Sequence, residues 1–195
     1  MLVKYYKVPV FSSYAAGNGI YSAIPEVEPF INFFEIGTEF EFGDITARSF
    51  RTPHDADGSV GYRFTAGGHV IAYATDLGCV TDEVINATCG AELAIIEANH
   101  DRNMLKNGSY PGYLKRRVLS EYGHLSNYDS GRFAVQLAAS GARYMQLSHL
   151  SRENNTPELA WETVEHALRK KGFIVGKDVE LDVAPPHTMN RTYVL

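Results

Sequence analysis

Cysteine and long apolar runs are scarce in this sequence, and basic residues are not in excess. Two cysteines, Cys79 and Cys89, are too few for a disulfide framework, and we predict that both are small buried residues in a reducing compartment. No apolar run approaches the roughly 20 residues that span a bilayer, and the first residues lack the apolar stretch of a signal peptide. We therefore expect a cytoplasmic protein without a membrane anchor.

The charge balance excludes a strongly basic coat for nucleic acid. The sequence has 18 Lys and Arg against 23 Asp and Glu, for a net charge of −5, which still permits a local basic site. Hydrophobic residues make up 45% and charged residues 21%, which is typical of a globular chain and not of a disordered one. With no repeat and no linker, residues 1–195 are predicted to form a single domain.

The first half of the chain is predicted to consist mostly of strands. Alternating apolar residues and Gly-containing turns indicate two hairpins, whereas residues 14–29 contain glycines and prolines and are predicted to be a loop. The predicted strands lie at residues 7–12, 39–44, 45–50, 61–65 and 69–74.

The second half alternates between predicted helices and strands, which indicates a layered α/β fold. Helix starts are marked by Thr81, Pro111, Ser126 and Thr156, each followed by helical spacing of apolar residues or by acidic residues in the first turn. The predicted strands lie at residues 91–97, 143–148, 173–175 and 179–183.

Polar residues follow four of the predicted strands at their carboxyl ends. His54, Asp76 and His149 each follow one strand, and residues 97–101 (Glu-Ala-Asn-His-Asp) end another. In open α/β sheets, ligands bind beyond the carboxyl ends of the strands. Histidine and aspartate are ligand types for Zn²⁺ or Mn²⁺.

Each of these residues also has an ordinary structural explanation. A single histidine after a strand is more often a loop residue bonded to the backbone, and Asp76 before Leu77-Gly78 is more often a turn former. Because four strand ends carry such residues, we predict a shared polar site. The residues alone leave open whether it holds a metal.

Six short segments resemble motifs of a known fold. Residues 52–56, 60–64 and 74–78 resemble successive motifs of the metallo-β-lactamase fold. Residues 97–101, Gly-His-Leu-Ser-Asn at 123–127 and His-Leu-Ser-Arg-Glu-Asn-Asn at 149–155 resemble the YycJ/WalJ-type metallohydrolases, relatives of tRNase Z. The resemblance implies an αββα sandwich and a dinuclear metal-dependent phosphodiesterase that uses a metal-bound hydroxide. In this branch, it implies a DNA exonuclease acting in the 5′ to 3′ direction.

The same resemblance implies a role for individual residues. His54 is expected to bind one metal, His149 the other, and Asp76 to bridge them. His124 resembles the histidine that protonates the leaving oxygen, and Glu97 the carboxylate that orients it.

Four further residues of these motifs are expected near the site. His100 and Asp101 are predicted to lie behind the metal ligands or to face the substrate. Asn154 and Asn155 are predicted to brace the loop that follows His149.

A short basic run lies in the predicted helix that starts at Pro111. Lys115, Arg116 and Arg117 are candidates for binding substrate phosphates. The alternative is a solvated helix face, which we favour slightly.

One motif of the family is absent from this sequence. The motif His-x-His-x-Asp-His supplies most of the family's metal ligands, and it occurs nowhere in the chain. Each metal would keep two protein ligands, where catalytic zinc normally has three, so we expect weak or absent metal binding by this chain alone. We also expect exposed apolar surface and unpaired strand edges where the first section of the sandwich would pack.

This absence leaves several interpretations open. The chain is expected to be the C-terminal portion of the fold, from a fragment or truncated form of a nuclease. Alternatively, it is a split enzyme completed by another polypeptide or a second copy, or a non-catalytic binding domain. A third alternative is a metallohydrolase of small phosphodiesters or esters.

Overall fold

The computed structural model describes residues 2–189 and 191–195. The strands are β1 (Val10–Ser13), β2 (Ile31–Phe34), β3 (Glu39–Phe42), β4 (Ile45–Arg51), β5 (Val60–Ala66), β6 (His69–Ala74), β7 (Leu93–Glu97), β8 (Tyr144–Ser148) and β9 (Glu180–Val183). The α-helices are α1 (Leu2–Tyr6), α2 (Tyr14–Ala23), α3 (Asp82–Thr88), α4 (Arg102–Asn107), α5 (Gly112–Val118), α6 (Asn127–Ala139) and α7 (Pro157–Lys170), and Pro25–Phe30 forms a 3₁₀ helix.

A seven-stranded mixed sheet, with the strand order β3 to β9, positions the candidate site. The pairs from β3 to β6 are antiparallel, and those from β6 to β9 are parallel. Two antiparallel pairings separate β4 from β6, so these two strands point the same way. The carboxyl ends of β4, β6, β7 and β8 therefore meet at one edge of the sheet.

Helices α3, α6 and α7 cover one face of this sheet and form the core with it. Val84 of α3, Phe133 of α6 and Val164 of α7 belong to one buried hydrophobic cluster with Ile96 and Leu147 of the central strands. The side chains of Thr81, Ser126 and Thr156 accept hydrogen bonds from the first turns of these helices, which confirms the predicted helix starts. The alternation of helices and strands in the second half is confirmed as well.

The segment predicted to be a loop is helical, and the prediction for residues 14–29 is wrong. Ser13 caps α2 by accepting a hydrogen bond from Ala16 N, and Pro25 begins the 3₁₀ helix. Gly17 allows a close approach, because a Cβ atom there would lie 2.5 Å from the Phe33 ring. Tertiary packing thus outweighs the low helix propensity of the glycines.

A small parallel sheet of β1 and β2 packs beside the first strands of the large sheet. The ring of Phe34 lies 5.1 Å from that of Phe40 and 6.3 Å from that of Tyr62. These contacts join the two sheets through aromatic side chains.

Two smaller predictions are also wrong. Residues 173–175 do not form a β-strand, and Val175 makes only an isolated β-bridge with Val179. Cys79 is half-buried and Cys89 is exposed, because Cys89 lies where α3 ends at the protein surface.

Across the described ranges, every helix is too short or too polar to span a bilayer.

Candidate metal and catalytic site

Five side chains converge at the carboxyl edge of the large sheet. His54 and Asp76 follow β4 and β6, Glu97 is the last residue of β7, and His149 comes directly after β8. His124 reaches the same place from the segment between α5 and α6. Strand order and direction bring together residues that are up to 95 positions apart in the sequence.

Glu97 is the buried centre of this group, with none of its surface exposed. Its Oε1 atom lies 2.8 Å from His124 Nδ1 and 2.8 Å from His149 Nδ1. Its Oε2 atom accepts a hydrogen bond of 2.6 Å from Leu77 N. Burial acts to raise the pKa of Glu97, but the hydrogen bonds from the two histidines outweigh it and hold this pKa below its usual value.

The hydrogen bonds define the tautomers of the three histidines. An ionised carboxylate only accepts, so His124 and His149 donate through Nδ1 to Glu97. His54 likewise donates through Nδ1 to the carbonyl oxygen of Gly123, 3.0 Å away. All three imidazoles therefore keep Nε2 for a metal or a proton.

Asp76 lies between two of these histidines. Its Oδ1 atom is 3.6 Å from His54 Nε2 and 3.6 Å from His149 Nδ1. Asp76 and His149 have φ angles of 56° and 59°, in the left-handed region that costs most residues free energy. Such strain is held where the surrounding structure over-determines it, as at ligand sites.

The donor set suits a divalent metal ion. The donor atoms of Asp76, Glu97, His124 and His149 all lie within 4.8 Å of one another. Imidazole nitrogen and carboxylate oxygen are donors that zinc and manganese accept. The residues present therefore fit a metal.

A cleft of about 600 Å³ opens onto these residues and is called the metal cleft below. His54, Asp76, His124 and His149 form part of its wall, together with Asn99 and the pair Asp55–Arg117. Two nitrogens of Arg117 bond the Asp55 carboxylate, and this lowers the pKa of Asp55. Sequence reasoning assigned no role to Asp55, although it lies directly after His54.

A family match identifies the fold. Residues 5–150 match the family described as "Beta-lactamase superfamily domain". The chain belongs to this superfamily. Within it, the chain is 35% identical over 189 residues to "Exodeoxyribonuclease YycJ" of Bacillus anthracis, covering 95% of this chain and 71% of the relative.

Two further similarities place this superfamily member more closely. It is 38% identical over 157 residues to "Exodeoxyribonuclease WalJ" of Streptococcus pneumoniae serotype 2, covering 80% of this chain and 58% of that relative. The structure of the metallo-β-lactamase fold protein YhfI from Bacillus subtilis superimposes with a TM-score of 0.62 at 18% identity, covering 90% of this chain and 61% of that one.

These findings confirm the resemblance to the YycJ/WalJ branch and the metallo-β-lactamase fold class. The predicted enzyme class, a hydrolase of the nuclease kind, is confirmed at the level of the family. The chain spans 58% of the length of the WalJ relative and 71% of the YycJ relative.

Two further residues of the motif at 97–101 lie next to the site and do not face the metal cleft. Asp101 caps α4, because its Oδ1 atom accepts hydrogen bonds from the backbone of Asn103 and Met104. His100 is buried with 1% of its surface exposed and lies on a neighbouring pocket instead of the metal cleft.

The asparagines hold the loops around His149. Asn155 donates to the carbonyl oxygens of Ala98 and Asn99 and exchanges hydrogen bonds with Asn127. Asn154 contacts Ser151 Oγ and lies on the metal cleft.

Asn99 was missed by sequence reasoning, although it lies inside the quoted motif at residues 97–101. It donates a hydrogen bond of 2.9 Å to the backbone oxygen of His149. This bond holds the strained backbone at His149 in place.

The basic run of α5 is mostly engaged in contacts within the protein. Lys115 Nζ donates to the carbonyl oxygens of Lys106 and Gly108, at 2.9 and 2.7 Å. Arg117 is paired with Asp55, and Arg116 is exposed. A phosphate-binding role for these three residues stays a prediction.

Proposed function

We propose that this protein is a metal-dependent phosphodiesterase and that its substrate is DNA, degraded as an exonuclease from the 5′ end. The observation that carries the proposal is the convergence of three histidines on Asp76, whose Oδ1 atom lies 3.6 Å from His54 Nε2, 3.6 Å from His149 Nδ1 and 3.9 Å from His124 Nδ1. This arrangement occurs in a chain whose relatives bear the name exodeoxyribonuclease.

His54, Asp76 and His149 are the residues that would hold the metals. We assign His54 and His149 to separate ions and Asp76 to both, since Asp76 lies between the two imidazole rings, with its Oδ1 atom 3.6 Å from the nearer ring nitrogen of each. Bound Zn²⁺ or Mn²⁺ would lower the pKa of a water molecule and neutralise phosphodiester charge.

His124 is the candidate general acid. Glu97 accepts a hydrogen bond from Nδ1 of His124, which fixes the orientation of the ring and leaves Nε2 as its second site for a proton. The Nε2 proton would then pass to the leaving oxygen of the phosphodiester. The same carboxylate orients His149, so Glu97 links the acid to the metal ligands.

Cleavage assays with labelled oligonucleotides test this proposal. The chain is incubated with a large excess of Mn²⁺ or Zn²⁺, so that weakly bound metal is present, and with DNA labelled at either end, and RNA and small phosphate esters are run in parallel. We expect DNA to be shortened from its 5′ end, and we expect His149→Ala and Asp76→Ala to lower the rate by at least about 100-fold. His187→Ala, at an exposed histidine, is the matched control.

Two results would contradict this proposal. Undiminished cleavage by Asp76→Ala would remove the metal site from the mechanism. A failure to cleave any of the substrates, with metal bound and the fold intact, would favour a non-catalytic binding domain. The proposal includes a cytoplasmic location. A complementing segment or a second copy of the chain that completes the site stays a prediction. Co-purification would detect the segment, and light scattering would detect the second copy.

A further inference from the structure

A second pocket of about 560 Å³ adjoins the metal cleft, and it is called the basic pocket below. His124 lies on the wall of both. The basic pocket is lined further by His100, Arg102, Lys106 and Lys115, which come from the end of β7, from α4 and from α5.

The two concave surfaces differ in charge. Two cations and three carboxylates line the metal cleft, whereas three cations and a single carboxylate line the basic pocket. That carboxylate, Asp129, is neutralised by Arg102 at 2.7 Å. The charges of Lys106 and Lys115 therefore give the basic pocket its positive potential in a protein of net charge −5.

The two lysines are arranged differently. Lys115 is half-buried, and its ammonium group is held by two neutral carbonyl oxygens, so its charge is fixed in position but not compensated. An ammonium group has three donors, which leaves one for a ligand. Lys106 is exposed, and no carboxylate of residues 2–189 and 191–195 pairs with it within 4.0 Å.

His100 is a buried side chain at the inner wall of the basic pocket. Only 1% of its surface is exposed, and neither ring nitrogen has a hydrogen-bond partner within the described part of the chain. Buried polar groups normally have a partner, because leaving one unpaired costs about 1–3 kcal/mol. His100 thus brings unused hydrogen-bonding capacity to the inner wall of a positively charged pocket.

We propose that the basic pocket binds a backbone phosphate of the polynucleotide substrate, held by Lys106 and Lys115 with His100 at the inner wall. This inference rests on the proposed function. Because His124 lies between the basic pocket and the metal cleft, the DNA strand contacts both sides of the candidate general acid. The bound phosphate then fixes the position of the strand relative to the metal cleft.

Binding of single-stranded DNA without metal tests the proposal. The probe is a fluorescent 12-nucleotide oligodeoxythymidylate in EDTA, titrated at several salt concentrations and followed by anisotropy. Lys106→Gln is expected to weaken binding about three- to tenfold at low salt and to reduce the slope of log K against log salt by about 0.7, as for one lost phosphate contact on a single strand. Lys177→Gln, an exposed lysine before β9 at the opposite edge of the sheet, is the control and should bind like the wild type.

Inorganic phosphate provides the second measurement. At equal ionic strength, phosphate should raise the thermal unfolding midpoint of the wild type above that in chloride. His100→Phe, which keeps the ring but removes both nitrogens, and Lys106→Gln should each lose at least half of this rise, whereas Lys177→Gln should retain it. Equal oligonucleotide affinity in Lys106→Gln and the wild type would overturn the proposal, as would an equal phosphate effect in all variants.

The failure of this inference is distinguishable from failure of the proposed function. If DNA is cleaved but Lys106→Gln changes neither affinity nor salt slope, the basic pocket is not a subsite and the nuclease assignment stands. If affinity depends on Lys106 but no cleavage occurs with metal, the pocket stands and the nuclease assignment fails.

Discussion

Two histidines of the site share a single acceptor, the Oε1 atom of Glu97. This carboxylate is fully buried and also accepts a bond from Leu77 N, the backbone amide next to Asp76. One side chain thus fixes two imidazole tautomers and the backbone beside a third candidate ligand. The site is therefore sensitive to Glu97 although this residue is not itself accessible.

Replacing Glu97 by Gln should weaken metal binding. Glutamine keeps the shape, but its amide nitrogen would face the N–H of Leu77 as a donor against a donor, and its neutral oxygen accepts more weakly from the two Nδ1–H groups, so His149 is held less firmly. Loss of such an outer partner typically costs about 10- to 100-fold in metal affinity, and competition with a chromophoric chelator would measure it. Glu92→Gln is the matched control, because Glu92 bonds the exposed His69 at 2.7 Å. Unchanged affinity in Glu97→Gln would argue against His149 as a ligand.

His100 should make the protein less stable in mild acid. Burial lowers its pKa to about 4, and the charges of His124 and Arg102 act in the same direction against those of Glu97 and Asp129. Between the unfolded pKa of 6.5 and about 4, the unfolded state binds more protons, so the free energy of unfolding falls as pH decreases through this window.

Once the pH has fallen below about 4, His100 has lowered the free energy of unfolding by about 3 kcal/mol. Urea unfolding from pH 7 to pH 4 would show it as a loss of stability that His100→Phe reduces. The comparison isolates His100, because all other titrating groups are common to both proteins. Parallel stability curves for the two proteins would contradict the expectation.

At the scale of elements, the packing of α6 on α7 depends on a glycine. A Cβ atom at Gly131 would lie 2.8 Å from Ala167 Cβ, closer than such atoms approach. The two helices cover the parallel part of the sheet, where Ser126 and Thr156 cap their first turns. Their close approach thus supports the sheet edge that carries the site.

Gly131→Ala should destabilise the protein in spite of alanine's higher helix propensity. The propensity gain is about 1 kcal/mol, whereas overpacking in a close contact costs about 1–3 kcal/mol, so we expect a net loss of about 1 kcal/mol in urea unfolding. In an Ala167→Gly variant, the clashing carbon is absent. There, Gly131→Ala should lower the free energy of unfolding less, or should raise it. An equal cost in both backgrounds would show that the contact is not the cause.

At the scale of the whole molecule, large exposed hydrophobic side chains concentrate in the first part of the chain. Tyr5, Tyr14, Tyr21 and Phe33 are at least 40% exposed, and Tyr73 on the sheet is 40% exposed. The helices α3, α6 and α7 cover only one face of the sheet. These exposed side chains agree with the exposed apolar surface that the sequence predicts.

The chain by itself should hold fewer than two tightly bound metals. His54, Asp76 and His149 offer two protein ligands to each of two ions, below the three that catalytic zinc normally has. Elemental analysis after prolonged dialysis should therefore find clearly less than two equivalents of zinc or manganese per chain. Two retained equivalents would show that further residues, such as His124, serve as ligands.

Much of the fold and the position of the site could be predicted from local patterns. The alternation of apolar residues marked β4 to β6, the caps marked α3, α6 and α7, and the polar residues His54, Asp76 and His149 marked the strand ends. These signals are short-range, because a cap or a hydrophobic period involves only neighbouring residues. Helix α2 escaped prediction because packing against Phe33, and not its own propensity, stabilises it.

The sequence by itself determined β4 to β8, the helices α3, α6 and α7, the strand-end residues and the family to which the chain belongs. The pair of Glu97 and His124 was implied by the resemblance, but only the tertiary structure decided that Glu97 also bonds His149 and that Lys115 bonds the end of α4. It also decided that His100 lies at a positive pocket without a partner among the described residues. The physical reason is that hydrogen bonding and burial at the site depend on strand order and register, which bring together residues from distant parts of the chain.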